Sequence, residues 1–286
     1  CAVCGETETR SIPKTSTHSF GAWTVTKEAT CAEAGDMWLN EGFAQFWGVF
    51  YELGVYGEQH FQNTMSAKVN SINSWCNNES NWLPLNNMPL DMTYDGEAVY
   101  NRGAVIVNTM MNYMGRENFL ASLRQYFQQY AYQTATSELL CEALTQYSGI
   151  DMQGFFDTYV YSSGMPHLYV NIASVEPLRD QYEVKLDLRY QHIGDSHIGQ
   201  DNAYEVTFIG PEFQLATEKV YWDGLHAETT VVLDFEPVGV VNDFNNNWLD
   251  GRTQKNFMIK TTSSTNFAYV TIKPETLTDS VFVANR

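Results

Sequence analysis

Cationic side chains are scarce in this 286-residue chain: 16 Lys and Arg stand against 34 Asp and Glu, for a formal charge of −18 and a pI near 4.6. Phosphate backbones and anionic lipid surfaces repel such a chain, which argues against nucleic-acid and membrane-surface partners; high acidity also serves ordinary solubility. Long apolar runs are missing too. None approaches the roughly 18 residues a membrane span needs, and the opening "CAVCGETETR" lacks the apolar core of a signal peptide, so the expectation is a soluble chain that any leader has already left. Cysteine is sparse and odd in number (Cys1, Cys4, Cys31, Cys76 and Cys141), which excludes a disulfide-built miniprotein. The lone C-x-x-C at Cys1 and Cys4 has no second pair for a zinc site and no βαβ context for a redox motif, and is read as incidental.

What the chain does have is apolar mass: 44% hydrophobic and 14% aromatic residues, enough for a large core. Residues 36–160 carry helical periodicity, with Leu39, Phe43, Phe46, Trp47 and Phe50 at three- and four-residue steps. Further helices are expected from Ala98 to a glycine stop at Gly115, from Glu117, from an N-cap at Thr136 or Ser137 to Gly149, and from Asp151 to before Gly164 and Pro166. Beyond Pro166 the period changes to two, as in Tyr182, Val184, Leu186, Leu188 and Tyr190. "YEVTFIG", "EKVYWDG", "TTVVLDF", "NFMIKTT" and "FAYVTIK" then follow at short intervals, the pattern of an antiparallel sandwich. The expected fold is α+β, with a helical unit at 1–165 and a β-sandwich at 166–286. His192 and His197 lie beside Asp195 and Asp201 in "HIGDSHIGQDNA", read as a polar loop because nothing fixes them as ligands. Trp38, Trp47 and Trp82 are read as core rather than cleft.

One residue disturbs the apolar stripe. Glu41 sits inside "GDMWLNEGFAQFW", and a carboxylate on the apolar side of a helix costs several kcal/mol unless a cation, a metal or hydrogen bonds compensate it. Glu41 needs a partner.

"WLNEGFA" resembles the segment that supplies the third zinc ligand in the gluzincin aminopeptidases, and "VYNRGAVIVNTM" is similar to the family's Tyr-x-Lys-Gly-Ala stretch. The resemblance continues through "YMGRENFLASLRQYFQQYAYQTATSELLCEAL", "SGIDMQGFFDTYV" and "SGMPHLYV", from about Cys31 to the end. It implies the helical half of a thermolysin-like catalytic domain leading into a sandwich, Glu41 as a metal ligand, Tyr100 at the oxyanion-stabilising position, and Arg102 in place of the family's lysine. The last segment, from "WLDGRTQ" on, is similar to sandwich ends of secreted Gram-negative members, some exported by the type nine route, which implies a secreted or cell-surface protein.

The family's zinc chemistry uses two histidines four apart on one helix face, a glutamate base between them and a later glutamate ligand. Counting back from Glu41 by the family interval reaches "HSFGA", where His18 is present, Ser19 occupies the base position and Ala22 the second histidine position. A rival register makes His18 the second ligand and puts Lys14 and Thr15 at ligand and base. Either way one histidine and the base are lost, and Glu41 with His18 makes a residual, incomplete metal site. The family's Gly-x-Met-Glu-Asn segment and N-terminal β domain have no counterpart, so the chain reads as part of a larger polypeptide or complex. The leading expectation is an aminopeptidase-like protein that holds no cofactor and binds a peptide or protein partner without catalysis. The alternatives are an active zinc aminopeptidase whose motif is interrupted by a chain gap, and a structural component of a surface or secretion assembly.

Overall fold

In a computed structural model the described residues are 34–193, 199–251, 256–259 and 268–271. The apolar stripe that opens the helical half forms α1 (Trp38–Tyr56), whose Trp38, Phe43, Phe46 and Val49 are buried. The chain then breaks at Gly57, which takes a left-handed φ of 86° that other residues adopt only with strain. A second amphipathic helix follows, α2 (Glu58–Trp75), burying Phe61, Met65, Val69 and Ile72 at steps of four, four and three. The first part of the periodic run, as far as Trp75, is thus two helices.

A short π-helical turn, Gly96–Asn101, leads into α3 (Arg102–Met114). Apolar on nearly every side, α3 lies at the centre of the molecule with only Asn112 among its side chains not fully buried. It stops at Gly115, φ 80°, where the sequence predicts a C-cap. Helix α4 (Arg116–Gln129) follows, then α5 (Ser137–Ser148), capped by the Thr136 hydroxyl accepting from the Leu139 N–H at 3.2 Å and closed by left-handed Gly149. A last short helix, α6 (Gln153–Tyr159), begins where the Asp151 carboxylate accepts from the Gln153 N–H at 2.9 Å.

The period-two region is antiparallel throughout. One sheet holds β1 (Met165–Leu178), β2 (Gln181–Ile193) and β5 (His226–Leu233) in the order β1-β2-β5. The other holds β3 (Asn202–Ile209), β4 (Leu215–Trp222), β6 (Gly239–Asn242), β7 (Asn256–Ile259) and β8 (Ala268–Thr271) in the order β4-β3-β6-β7-β8. Val184, Leu186, Leu188 and Tyr190 of β2 face inward as the alternation predicts. The α+β class is therefore the observed one.

Helices and strands share one hydrophobic core, in which Trp38, Phe46 and Phe156 are continuous with Leu186, Phe208 and Trp248. Polar side chains of α3 fasten the seam. The Asn108 and Asn112 amides donate to the Asn247 carbonyl at 3.2 and 3.3 Å, and the Leu249 N–H donates to Thr109 Oγ1 at 2.8 Å. Under this loop lies a buried cluster in which Asp250 accepts from the Tyr204 hydroxyl at 2.6 Å and pairs with His167 Nδ1.

Candidate functional site: the crossing of α1 and α3

Three residues ahead of the conspicuous glutamate, α1 is already fixed in place. The buried Asp36 carboxylate accepts from the Ser137 hydroxyl and, at 3.3 Å, from the Ser137 N–H, while Trp38 Nε1 donates to the same hydroxyl at 2.9 Å. Burial raises the Asp36 pKa, against the lowering effect of the Ser137 hydrogen bonds. The start of α1 is thereby tied to the first turn of α5.

Four residues further on, α1 crosses α3 at the glycines of the two quoted motifs. A Cβ on Gly42 would stand 2.8 Å from the Gly103 Cα, and a Cβ on Gly103 would stand 2.8 Å from the Gly42 Cα. Only two glycines permit backbones this close. The residues beside that crossing are Glu41 and Tyr100, brought together because one immediately precedes Gly42 and the other is one turn before Gly103.

Tyr100 belongs to the π-helical turn, whose first N–H groups are satisfied by Asp95: its carboxylate accepts from the Glu97 and Ala98 N–H groups at 2.9 and 2.8 Å. A π turn closes its hydrogen bonds one residue later than an α turn and is frequent at functional sites. Both Tyr100 and Glu41 are half-buried. Burial raises the Tyr100 phenol pKa, and the Glu41 charge and a hydrogen bond to Glu41 push it in the same direction. The phenol thus stays a protonated donor at neutral pH. The partner that Glu41 needs is a neutral hydroxyl: among the described residues, no Lys, Arg or His forms an ion pair with it.

Arg102 does not share this site. It is 1% exposed and points away, donating to the carbonyls of Leu83, Ser162 (3.2 Å) and Gly164 (3.4 Å), so it clamps the loop before the π turn to the segment that enters β1. Trp38 is core, as expected, and Trp47 and Trp82 pack half-buried against that core. His18, with Ser19 and Ala22, and the rival pair Lys14 and Thr15, lie outside the described residues, as do Cys1, Cys4, Cys31, Asp195 and His197.

A catalytic zinc ion needs three protein ligands and an open position. Among the described residues no three His, Cys, Asp or Glu side chains come together in a metal-holding group. One carboxylate and one phenol are the donors that the described residues assemble here; the positions that would supply the histidines and the base lie outside them. What the pair can do is accept a cationic donor, on the Glu41 carboxylate and on the Tyr100 hydroxyl oxygen whose proton Glu41 holds. Sequence reading passed over Lys68 and Asp36, which contact this region from α2 and from the entry to α1; the trace Lys68 leaves in the sequence is to be the single Lys or Arg of α2.

Comparison with known proteins gives a consistent set of likenesses. The Peptidase family M1 domain matches residues 22–159. "Aminopeptidase M1-D" of Oryza sativa subsp. japonica is 27% identical over 157 residues, covering 51% of this chain and 17% of that protein. "Aminopeptidase N" of Lactococcus lactis subsp. lactis is 25% identical over 147 residues, 46% of this chain and 16% of its own length. "Aminopeptidase 2, mitochondrial" of Saccharomyces cerevisiae is 25% identical over 187 residues, 57% and 19% respectively. These matches span less than a fifth of each relative. In fold, the crystal structure of Legionella pneumophila aminopeptidase A in complex with aspartic acid superposes with a TM-score of 0.57 at 16% identity, covering 76% of this chain and 24% of that one.

Proposed function

Since the chain belongs, through residues 22–159, to peptidase family M1, the gluzincin aminopeptidases, we propose that it uses the Glu41–Tyr100 pair to bind the free amino terminus of a peptide or protein without hydrolysing it. The observation that carries this reading is a half-buried carboxylate with a protonated phenol as its hydrogen-bond partner and no cation paired to it among the described residues. An amino-terminal residue supplies the complement, an ammonium that donates to the Glu41 carboxylate and to the Tyr100 hydroxyl oxygen, whose single proton is already given to Glu41. Ser19 and Ala22, at the family's base and second histidine positions, support the loss of hydrolysis, since a serine does not take a proton from water at neutral pH. Zinc is not required for such binding. The protein's place is outside the cell or at its surface, as part of a larger chain or complex, a reading supported by the likeness of its last segment to secreted members.

Calorimetric titration of the purified protein with a short peptide and its N-acetylated form tests this. A hydrogen-bonded charge contributes about 1.5–3 kcal/mol, so acetylation, or Glu41→Gln, weakens binding roughly 10- to 150-fold. Equal affinity for both peptides would refute the reading, and so would one zinc per chain together with hydrolysis of an amino-acid arylamide. The second reading is the active aminopeptidase, completed by residues outside the described ones. The placement of Tyr100 beside Glu41 favours it, and under it Tyr100→Phe lowers kcat by roughly 10²–10³.

A further inference from the structure

Behind Tyr100, on the side turned toward α2, a polar network joins three elements through one ammonium group. Lys68 Nζ donates to Asn101 Oδ1 at 2.7 Å and to Gln45 Oε1 at 3.2 Å. Asn101 follows Tyr100 in the π turn, and its amide donates to Glu97 Oε2 at 3.0 Å; Glu97 Oε1 in turn accepts from the Ser71 hydroxyl at 2.7 Å. Gln45 lies four residues after Glu41, so both occupy one face of α1. Lys68 and Ser71 stand one turn apart on α2. The network therefore touches the helix that carries Glu41 and brackets Tyr100 within its own turn.

A π turn is less regular than an α turn and is held in place by its surroundings. Here its N-terminal end is satisfied by Asp95, and α1 limits its approach at Gly42. Ala98 and Val99 are buried within the turn and Arg102 is clamped just after it, which leaves the half-buried side that carries Tyr100 and Asn101 to be fixed by polar contacts. Two of the three donors on one half-buried ammonium, spent on Asn101 and Gln45, supply those contacts. Burial lowers the Lys68 pKa, while Glu97 and Glu52 raise it.

We propose that Lys68 is a positioning residue for the Glu41–Tyr100 site: it locks the turn bearing Tyr100 to the helix bearing Glu41 so that phenol and carboxylate meet before any ligand arrives. This deepens the proposed binding of amino termini and rests on it. Lys68 itself touches no ligand.

The test uses the full chain with ¹³C-labelled tyrosine and reads proximity between the Tyr100 ring and the Glu41 side chain by NMR cross-relaxation, the Tyr100 signals being assigned from Tyr100→Phe. The parent protein shows the contact. Lys68→Met removes the lock and the contact is lost, whereas a purely electrostatic role for Lys68 would leave it in place. Lys68→Arg keeps the donors and restores the contact. Should Lys68→Met fold poorly, Asn101→Leu cuts the same hydrogen bond while leaving the charge, with the same loss of contact expected. Peptide binding weakens about tenfold in both variants, the loss of roughly one hydrogen bond, and recovers in Lys68→Arg. A Tyr100–Glu41 contact that persists in both Lys68→Met and Asn101→Leu overturns the proposal. If the parent protein binds no peptide while the contact is still lost in these variants, the positioning role stands and the binding reading falls.

Discussion

Gly42→Ala is the substitution most sharply determined by the structure. The added Cβ would stand 2.8 Å from the Gly103 Cα and 2.9 Å from its carbonyl carbon, and both atoms are backbone, which cannot swing aside. Ordinary contact begins at 3.4 Å, so α1 and α3 must part by about 0.6 Å. Overpacking of this kind costs about 1–3 kcal/mol. Alanine in place of glycine within a helix returns about 1 kcal/mol, leaving a net loss of roughly 0–2 kcal/mol. Gly48→Ala is the internal control, since it lies on the same helix with nothing within 4 Å of the new Cβ, and should stabilise by up to about 1 kcal/mol. Urea denaturation of both variants at constant slope measures the difference, expected at roughly 1–3 kcal/mol. Parting the helices also lengthens the Glu41–Tyr100 contact, so the Tyr100 phenol should titrate lower in Gly42→Ala and stay put in Gly48→Ala. If Gly42→Ala proves as stabilising as Gly48→Ala and leaves Tyr100 unchanged, the close crossing is not what sets this site.

Arg102→Lys should cost about 2–4 kcal/mol by chemical denaturation, because an ammonium cannot span the Leu83, Ser162 and Gly164 carbonyls that the guanidinium fork holds; a loss below about 1 kcal/mol would contradict the clamp. Alkaline pH should also unfold the protein. Burial pushes the Tyr113 and Tyr126 phenols up to about 12, and those of Tyr159, Tyr190 and Tyr204 higher still. The folded state holds these protons more tightly than the unfolded chain, which releases them near 10, so their contribution is complete below about pH 10 and is lost as pH rises from there. Each such tyrosine then removes up to about 1.4 kcal/mol per pH unit, and a denaturation midpoint that stays level to pH 11.5 would refute this.

Features written in local chemistry were legible in the sequence. Gly115 and Gly149 end helices as their φ freedom allows, Thr136 caps α5, and the alternation from Tyr182 to Tyr190 marks β2. The need of Glu41 for a partner was legible as well, though not that a tyrosine 59 residues away meets it. Strand β1 went unseen because it is buried at its start and exposed at its end, so "MPHLYVNIASVEPL" shows no clean alternation, and β6 is only four residues long. Helix α2 was hidden because Gly57 interrupts a helical pattern that resumes at once. Arg102 looked like a stand-in for a site lysine, since its carbonyl partners come from 19, 60 and 62 residues away and leave no local trace. Lys68 was missed for the same reason, its network being assembled from three separate elements.

Helix α3 is anchored along its whole length: Arg102 holds its first turn, Asn108, Thr109 and Asn112 hold its middle to the 247–249 loop, and Lys219 Nζ donates to the Tyr113 carbonyl near its end at 3.1 Å. On one side of the α1–α3 crossing, then, stands a helix held at its start, middle and end. Any change in the spacing of Glu41 and Tyr100 therefore falls to the opposite side, beyond the Asp36–Ser137 tie, where α1 meets α3 over bare backbone and α2 reaches across with a single lysine.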